Sequence, residues 1–371
     1  MNVEMRETPT MTIDPRATPG PTDAPPGPSA RDLVAAHRIA HAPLLFQAAR
    51  SARTLGVLDA LAGAEEAGLS LADVAEMTGL SAYAAGLLLD GCASLEMIAF
   101  DPEEQRYRLT LVGVAFLKDT RVRVSTDFVH DVCHQGAFFL EESLRTGKPA
   151  GLATLGPWET LYEGIPSLPE PTRSSWYAYD HLYSDGVFAR AVRFLQQWPV
   201  RRVLDVGGNT GRFAGLAAAA SMHVTILDHP AELEIARRNV DELGVGHRVE
   251  TVGLDLRDRE AAFPGGFDGV WISQVLDCFP EDDVVSILTR ARAALSENGR
   301  IFVVECFTDR QPTEAAQVAL HGLSLYFACI ANGSSRMYRS ETLLRCAERA
   351  GLRVDQDRTL GPWHTLLVLA P

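Results

Sequence analysis

Hydrophobic residues fall into a helical rhythm from Arg31 onward. Leu33, Ile39, Leu44, Leu45, Leu55 and Leu58 supply the apolar positions of successive turns. Between Leu69 and Leu117 the pattern predicts a winged helix. Ser70 and Asp73 form a capping-box-like start, Thr78-Gly79-Leu80 turns the chain, and Ser81 caps a second helix to about Leu95. Tyr107, Leu109 and Leu111 then alternate as a short wing strand. From about Arg201, apolar runs alternate with helical spacings. Strands are expected at Arg202–Val206, His223–Leu227, Arg248–Val252, Gly269–Ile272 and Arg300–Val304, with helices at Phe213–Ala220, Glu232–Leu243, Glu281–Leu295 and Ser340–Ala350. That alternation predicts a doubly wound parallel sheet in an α/β domain. Trp363–Leu369, following Leu360-Gly361-Pro362, predicts a closing hairpin.

Composition adds limits. The first 30 residues hold seven prolines among Thr, Ala and Gly, too few apolar groups to offset ordering, and are expected to be a disordered leader without a secretory core. Residues 31–185 are then expected to form a helical dimerisation and substrate lobe, and 186–371 the α/β domain. The net charge of -14 repels phosphate. The second helix of the winged-helix pattern, Ala82–Leu95, carries no Lys or Arg. Nucleic acid is therefore not an expected partner, and the module is read as a packing or dimerisation unit. The six cysteines are scattered with no C-x-x-C pair, which fits a reducing cytoplasm and neither a disulfide framework nor a zinc cluster. No apolar run approaches the roughly 18 residues of a membrane span.

Chemistry enters where the first strand of the α/β pattern ends, in Asp205-Val206-Gly207-Gly208-Asn209-Thr210-Gly211. Glycines there, Gly207 and Gly208 among them, let the backbone turn sharply and approach a ligand, and the helix that follows offers free N–H groups. Nicotinamide, flavin and S-adenosylmethionine proteins share such a loop. Two acids narrow the choice: Asp228 ends the second strand, where a carboxylate takes ribose hydroxyls, and Asp255 follows the third, within reach of an adenine amino group.

The segments VLDVGGNTG (203–211), LDHP (227–230) and FDGVWISQVLDCFPE (267–281), with Glu305 downstream, resemble class I small-molecule O-methyltransferases of plants and bacteria. The resemblance runs from Arg31 to Pro371, because those enzymes also begin with a helical, winged-helix-like dimerisation domain. It implies a homodimer, S-adenosylmethionine as methyl donor, and donor contacts from Gly207, Asp228, Asp255, Leu256 and Ser273 with Gln274 nearby. DVCHQG (131–136), RTGKPA (145–150), YDHLYSD (179–185), WISQVLDCF (271–279) and ANGSSRMY (331–338) are most similar to the aryl-polyene-type branch, whose relatives methylate tyrosine or 3-hydroxykynurenine on ring carbon. Asn209 stands where a glycine is common in the family's loop.

That family's usual base is a histidine in Leu-His-Asp-Trp; here Asp277 occupies its position, in Leu276-Asp277-Cys278-Phe279. Glu305 matches the acid that orients the histidine, and Tyr338 stands at a second such acid. An ordinary Asp, with a pKa near about 4, deprotonates a phenol poorly unless burial raises it. His134 is therefore the expected base, inside a branch motif. His130 and His134 share a helical face that would suit a metal, but no third ligand is evident, so no metal is expected. Arg336 is expected to fork onto a substrate carboxylate. Tyr179, His181 and Asn332 lie in the branch motifs as substrate contacts, and Trp158, Trp176 and Phe138 join Tyr179 as candidate stacking partners. The expected activity is ring C-methylation of a phenolic amino acid in secondary (antibiotic) metabolism. The alternatives are O-methylation of a small phenol and a catalytically silent donor-binding regulator.

Overall fold

The computed structural model describes residues 27–371, so the expected leader lies, up to Pro26, outside the described residues. The chain divides into two units, one ending at Leu117 and the other Lys118–Pro371.

The first unit holds α1 (Ala30–Ala40), α2 (Ala42–Thr54), α3 (Val57–Ala64), α4 (Leu71–Thr78), α5 (Ala82–Ser94), the antiparallel pair β1 (Ile98–Asp101) and β2 (Arg106–Leu109), and α6 (Leu111–Lys118). Its helix starts are written in the sequence. Ser70 and Asp73 make a reciprocal capping box at α4, Gly79 ends that helix in the left-handed conformation, and Ser81 caps α5. Leu58, Leu61, Val74, Leu89 and Cys92 close its core. Leu111 departs from the expected wing strand: the Thr110 hydroxyl accepts the Gly113 N–H at 3.2 Å, which starts a helix instead, and Leu111 is exposed.

The second unit begins with α7 (Thr120–Phe128), α8 (Leu140–Thr146) and the long α9 (Thr172–Leu195). Then come β3 (Arg202–Val206), α10 (Arg212–Ala219), β4 (His223–Asp228), α11 (Pro230–Glu242), β5 (Val249–Gly253), β6 (Phe267–Ser273), α12 (Glu281–Ala293) and β7 (Leu295–Glu305). The chain ends with α13 (Glu314–Tyr326), α14 (Ser340–Arg349), β8 (Arg353–Leu360) and β9 (His364–Ala370). The sheet runs β5-β4-β3-β6-β7-β9-β8, with β3 to β7 parallel and the closing hairpin antiparallel. Alternate residues of each strand feed two cores. Leu204, Val206, Ile272 and Leu288 lie on one face; Val203, Val224, Trp271 and Phe302 lie on the other, where Phe213 stacks on Trp271 at 4.4 Å.

The division expected at residues 185/186 falls inside α9. This helix serves two cores at once, which is why it is continuous. Val187, Phe188, Ala191 and Leu195 pack beneath the sheet, while Trp176 and Tyr179 join Phe128, Leu320 and Tyr326 in a third cluster. Glu314–Ala331 also differs from the sequence reading, being long and apolar enough by composition to cross a membrane. Its Leu320, Tyr326, Phe327, Cys329 and Ile330 are instead buried in that third cluster.

Candidate active site

The glycine loop after β3 is held by contacts that only glycine tolerates. A Cβ on Gly207, at φ +70°, would lie 2.4 Å from Val275 Cγ2, and one on Gly208 would lie 2.7 Å from Asp205 Oδ2. Asn209 follows, also at positive φ. Its backbone N–H donates to Asp228 at 2.7 Å and its side-chain amide donates to Asp180 at 3.1 Å. Asp228, at the end of β4, also accepts the His229 N–H at 2.6 Å. A carboxylate has about four lone-pair sites, so capacity remains for a further donor. Asp255 after β5 is held by Arg257 through Nε and Nη2, and Nη2 also donates to Glu163 at 2.9 Å. Buried Arg290 fixes the following loop by donating to the Leu256, Asp258 and Ala261 carbonyls.

These elements surround a cleft of about 830 Å³, lined by Gly207, Asn209, Asp228, Asp255, Leu256 and Gln274 among others. Its electrostatics separate the ligands that a glycine loop admits. Asp180, Asp228 and Glu232 line it and Asp205 lies behind it; burial pushes Asp180 up to about 6 and Glu232 up to about 7. Arg257, the one arginine in the lining among the described residues, is committed to acids. Such a wall repels a diphosphate and favours a donor carrying sulfonium and ammonium charge. The Asn209 Oδ1 and Gln274 Nε2 atoms are buried without protein partners among the described residues, as expected of groups facing a polar ligand.

A second chamber of about 630 Å³ shares Tyr162, Trp176, Asp180, Gln274 and Cys278 with the cleft. Its walls are aromatic. Phe128 stacks on Tyr179 at 4.1 Å and meets the edge of Tyr326 at 5.0 Å, and Trp176 Nε1 donates to the Tyr326 hydroxyl at 2.9 Å. Asp277 faces this chamber and, behind it, a small void shared with Glu305 and Tyr338. Glu305 accepts the Val275 and Leu276 N–H groups at 3.2 and 3.0 Å through one oxygen, and its other oxygen has no partner among the described residues. Burial pushes Asp277 up to about 7; burial and then the Asp277 charge push Glu305 well above the carboxylate range.

Residues 184–352 match the O-methyltransferase domain family and residues 34–107 a Dimerisation2-like domain. L-tyrosine C(3)-methyltransferase of Streptomyces lavendulae is 25% identical over 89% of this chain and 90% of its own length. 3-Amino-4-hydroxybenzoate 4-O-methyltransferase of Streptomyces cremeus is 26% identical over 87% and 86%. The crystal structure of the S-adenosylmethionine-dependent methyltransferase SibL superimposes with a TM-score of 0.66 at 26% identity, covering 91% of this chain and 99% of that one. This chain belongs to the S-adenosylmethionine-dependent methyltransferases.

In the methyltransferase, five of the seven expected donor contacts line the cleft: Gly207, Asp228, Asp255, Leu256 and Gln274. Gly208 packs behind the loop against Asp205 and Ile226, and Ser273 ends β6 outside the lining. Asp277 and Tyr179 line the chamber, with Glu305 directly behind Asp277. His134 lines neither cavity. Phe128, Val132 and Cys133 take the buried side of a π-helical turn, and His134 emerges beside it, 6.4 Å from the His130 ring and 6.1 Å from Phe138. The DVCHQG motif anchors instead: Asp131 accepts the Thr172 and Ser175 hydroxyls of α9 at 3.2 and 2.5 Å. His181 also misses both cavities, lying between Asp180 and Asp185 and stacked on Tyr177. Asn332 lines neither cavity. Its amide donates to the Cys278 carbonyl at 2.9 Å and lies 3.3 Å from the Tyr162 hydroxyl. Arg336 is exposed, and Met337 takes the chamber position beside it. Among the stacking candidates, Trp176 lines both cavities and Phe138 is 79% exposed. The sequence reading missed Tyr162, Asp180 and Cys278 as lining residues; Asp180, inside YDHLYSD, and Cys278, inside WISQVLDCF, left a motif signal, and Tyr162 left none.

Proposed function

We propose that this methyltransferase methylates a ring carbon of a tyrosine- or 3-hydroxykynurenine-type phenol in secondary metabolism, with the Asp277–Glu305 pair as its base in place of His134. The observation that carries this reading is Asp277, a carboxylate facing an aromatic chamber with a titration point raised to about 7. A base is most useful when it titrates near the working pH. Burial thus turns an ordinarily weak base into one able to act on a phenol. When bound, S-adenosylmethionine supplies an electrophilic methyl group on sulfonium. Asp228 accepts its ribose hydroxyls, and Asp255 receives the adenine amino group. Phe128 and Tyr179 hold the acceptor ring. Asp277 takes the hydroxyl proton as the ring carbon bonds to the methyl group and the carbon–sulfur bond breaks. The ring then loses its own hydrogen as a proton while the hydroxyl is restored. Ring methylation therefore handles two protons in sequence, and two neighbouring carboxyls suit that traffic.

O-methylation is the second reading, favoured by the 4-O-methyltransferase relative. A ring-deuterated phenol separates the two, since carbon methylation loses one deuterium and oxygen methylation keeps them all. Retention of every deuterium in the methylated product, read by NMR and mass spectrometry, overturns ring methylation. No transfer to any phenol favours the catalytically silent regulator. The working unit is a homodimer in this reading. The dimerisation-domain match supports it, as do Ile39, Leu44 and Tyr83, each more than 70% exposed on the first unit. A 40.3 kDa monomer by light scattering at micromolar concentration overturns it.

A further inference from the structure

We propose that the acceptor enters the chamber as a phenolic ammonium with no free carboxylate: either an amine, or an amino acid whose carboxyl is masked as an ester, amide or thioester. The proposal rests on reading the chamber as the acceptor site, and narrows the substrate class of that site.

The ionisable groups that give the chamber its charge near neutral pH have one sign. Asp180 and Asp277 line it, and no Lys, Arg or His does so among the described residues. Cations near its border are already committed. Arg121 is closed on Asp119 at 3.2 and 2.7 Å, with its guanidinium over the Trp363 ring at 5.3 Å. Arg212 is paired with Asp185. His181 sits 3.7 Å from Asp180 and 3.6 Å from Asp185. Arg336, which the sequence offered as the carboxylate's partner, is exposed and outside the lining. A substrate carboxylate would therefore be desolvated against aromatic walls beside two acids, a placement that costs free energy unless the charge is paired.

An ammonium group meets the opposite conditions. Asp180 offers a carboxylate already oriented by the Asn209 amide at 3.1 Å. Trp176, Tyr179, Tyr183 and Tyr326 line the same chamber, and aromatic rings attract cations. Asn209 occupies a left-handed position where a glycine would avoid strain. Its side chain performs a task that glycine could not, by tying the donor loop to the acid of the acceptor chamber.

The test uses a matched 4-hydroxyphenyl series with the full-length protein: tyramine, tyrosine amide, neutral 4-ethylphenol, tyrosine and 4-hydroxyphenylpropionate. The kcat/KM for tyramine or tyrosine amide should exceed that for tyrosine by roughly ten-fold or more, with 4-hydroxyphenylpropionate lowest. Tyramine ahead of tyrosine amide identifies a carboxyl that is absent, and the reverse order one that is masked. Tyrosine or 4-hydroxyphenylpropionate equal to or above tyramine overturns the proposal. Calorimetry on protein saturated with S-adenosylhomocysteine reads the same ranking without turnover. Binding in the stated order without methylation sinks the methyl-transfer reading and leaves the charge rule standing. Equal affinities sink the charge rule alone, and no binding by any member sinks both. Asp180→Asn keeps the hydrogen bond to Asn209 and should cut the preference for tyramine over 4-ethylphenol roughly ten-fold. An unchanged preference with weakened S-adenosylhomocysteine binding would assign Asp180 to the donor and overturn its part in the proposal.

Discussion

The cleft and the aromatic chamber share a wall, yet they are built on opposite plans. The cleft follows the strand ends: Gly207, Asp228 and Asp255 each sit at or just past the C-terminal end of a parallel strand, on neighbouring rungs of the sheet. The chamber draws Phe128 from α7, Tyr162 from a short turn, Tyr179 from α9, Asp277 from the loop after β6, and Tyr326 from α13. One site is made by repeated local grammar, the other by long-range packing. A cofactor common to many enzymes needs only the first. In the proposed reading an acceptor particular to one enzyme is met by the second, where helices and turns can vary without disturbing the sheet.

The largest expected effect lies on the chamber side. Asp277→Asn should lower kcat by roughly 10²–10⁴-fold, the usual contribution of a positioned acid–base group, while leaving S-adenosylhomocysteine affinity near its original value. Single-turnover methyl transfer checks the first part and calorimetry the second. A parallel loss of donor affinity would show that the two sites cannot be treated separately.

The matching change in the cleft is Asp228→Ala. In the proposed reading it removes the acceptor of two ribose hydroxyls, and donor affinity should then fall by roughly 10- to 100-fold on the scale of charged hydrogen bonds. Calorimetry with S-adenosylhomocysteine gives the number. The KM of the methylated phenol should stay within about two-fold at saturating donor, because uniform loss of donor binding does not touch the acceptor's contacts.

Stability offers a third contrast, since both cavities hold buried acids: Asp180 in the shared wall, Glu232 in the cleft and Asp277 in the chamber. Burial raises Asp180 to about 6 and both Glu232 and Asp277 to about 7. Each group binds its proton more tightly folded than unfolded. Their joint contribution is therefore fully present below about pH 4, and stability is lost as pH rises from there through about 7. The donor-free protein should lose thermal stability across that window. Asp277→Asn should recover about 2–4 °C at pH 8 for each kcal/mol relieved, and little at pH 4. Scanning calorimetry at the two pH values decides it; an equal gain at both would detach the effect from ionisation.

The smallest effects belong to residues that the motifs suggested and the fold set aside. Neither His134 nor Arg336 lines either cavity. His134→Ala and Arg336→Ala should each leave kcat/KM within about two-fold, as surface changes away from a site do. A fall of a hundred-fold in either would return that residue to the chemistry and break the assignment to Asp277.

The sheet, the glycine loop and the order of the acids along the strands were legible in the chain's local pattern. Those features depend on period, turn residues and neighbours a few positions apart. Thus β3 spans the expected Arg202–Val206, and Asp228 and Asp255 line the cleft. Motif membership said much less about the acceptor side. YDHLYSD contains Tyr179 and Asp180, which face the chamber, and His181, which does not, although all three are consecutive on α9. A helix turns about 100° per residue, so which neighbour meets the cavity is fixed by what α9 packs against. That Asp277 is buried with Glu305 behind it, that Asn209 reaches Asp180 and that Arg336 stays exposed emerged from the folded packing alone. Each depends on segments tens to hundreds of residues apart meeting in space, and on the cost of burying charge where they meet.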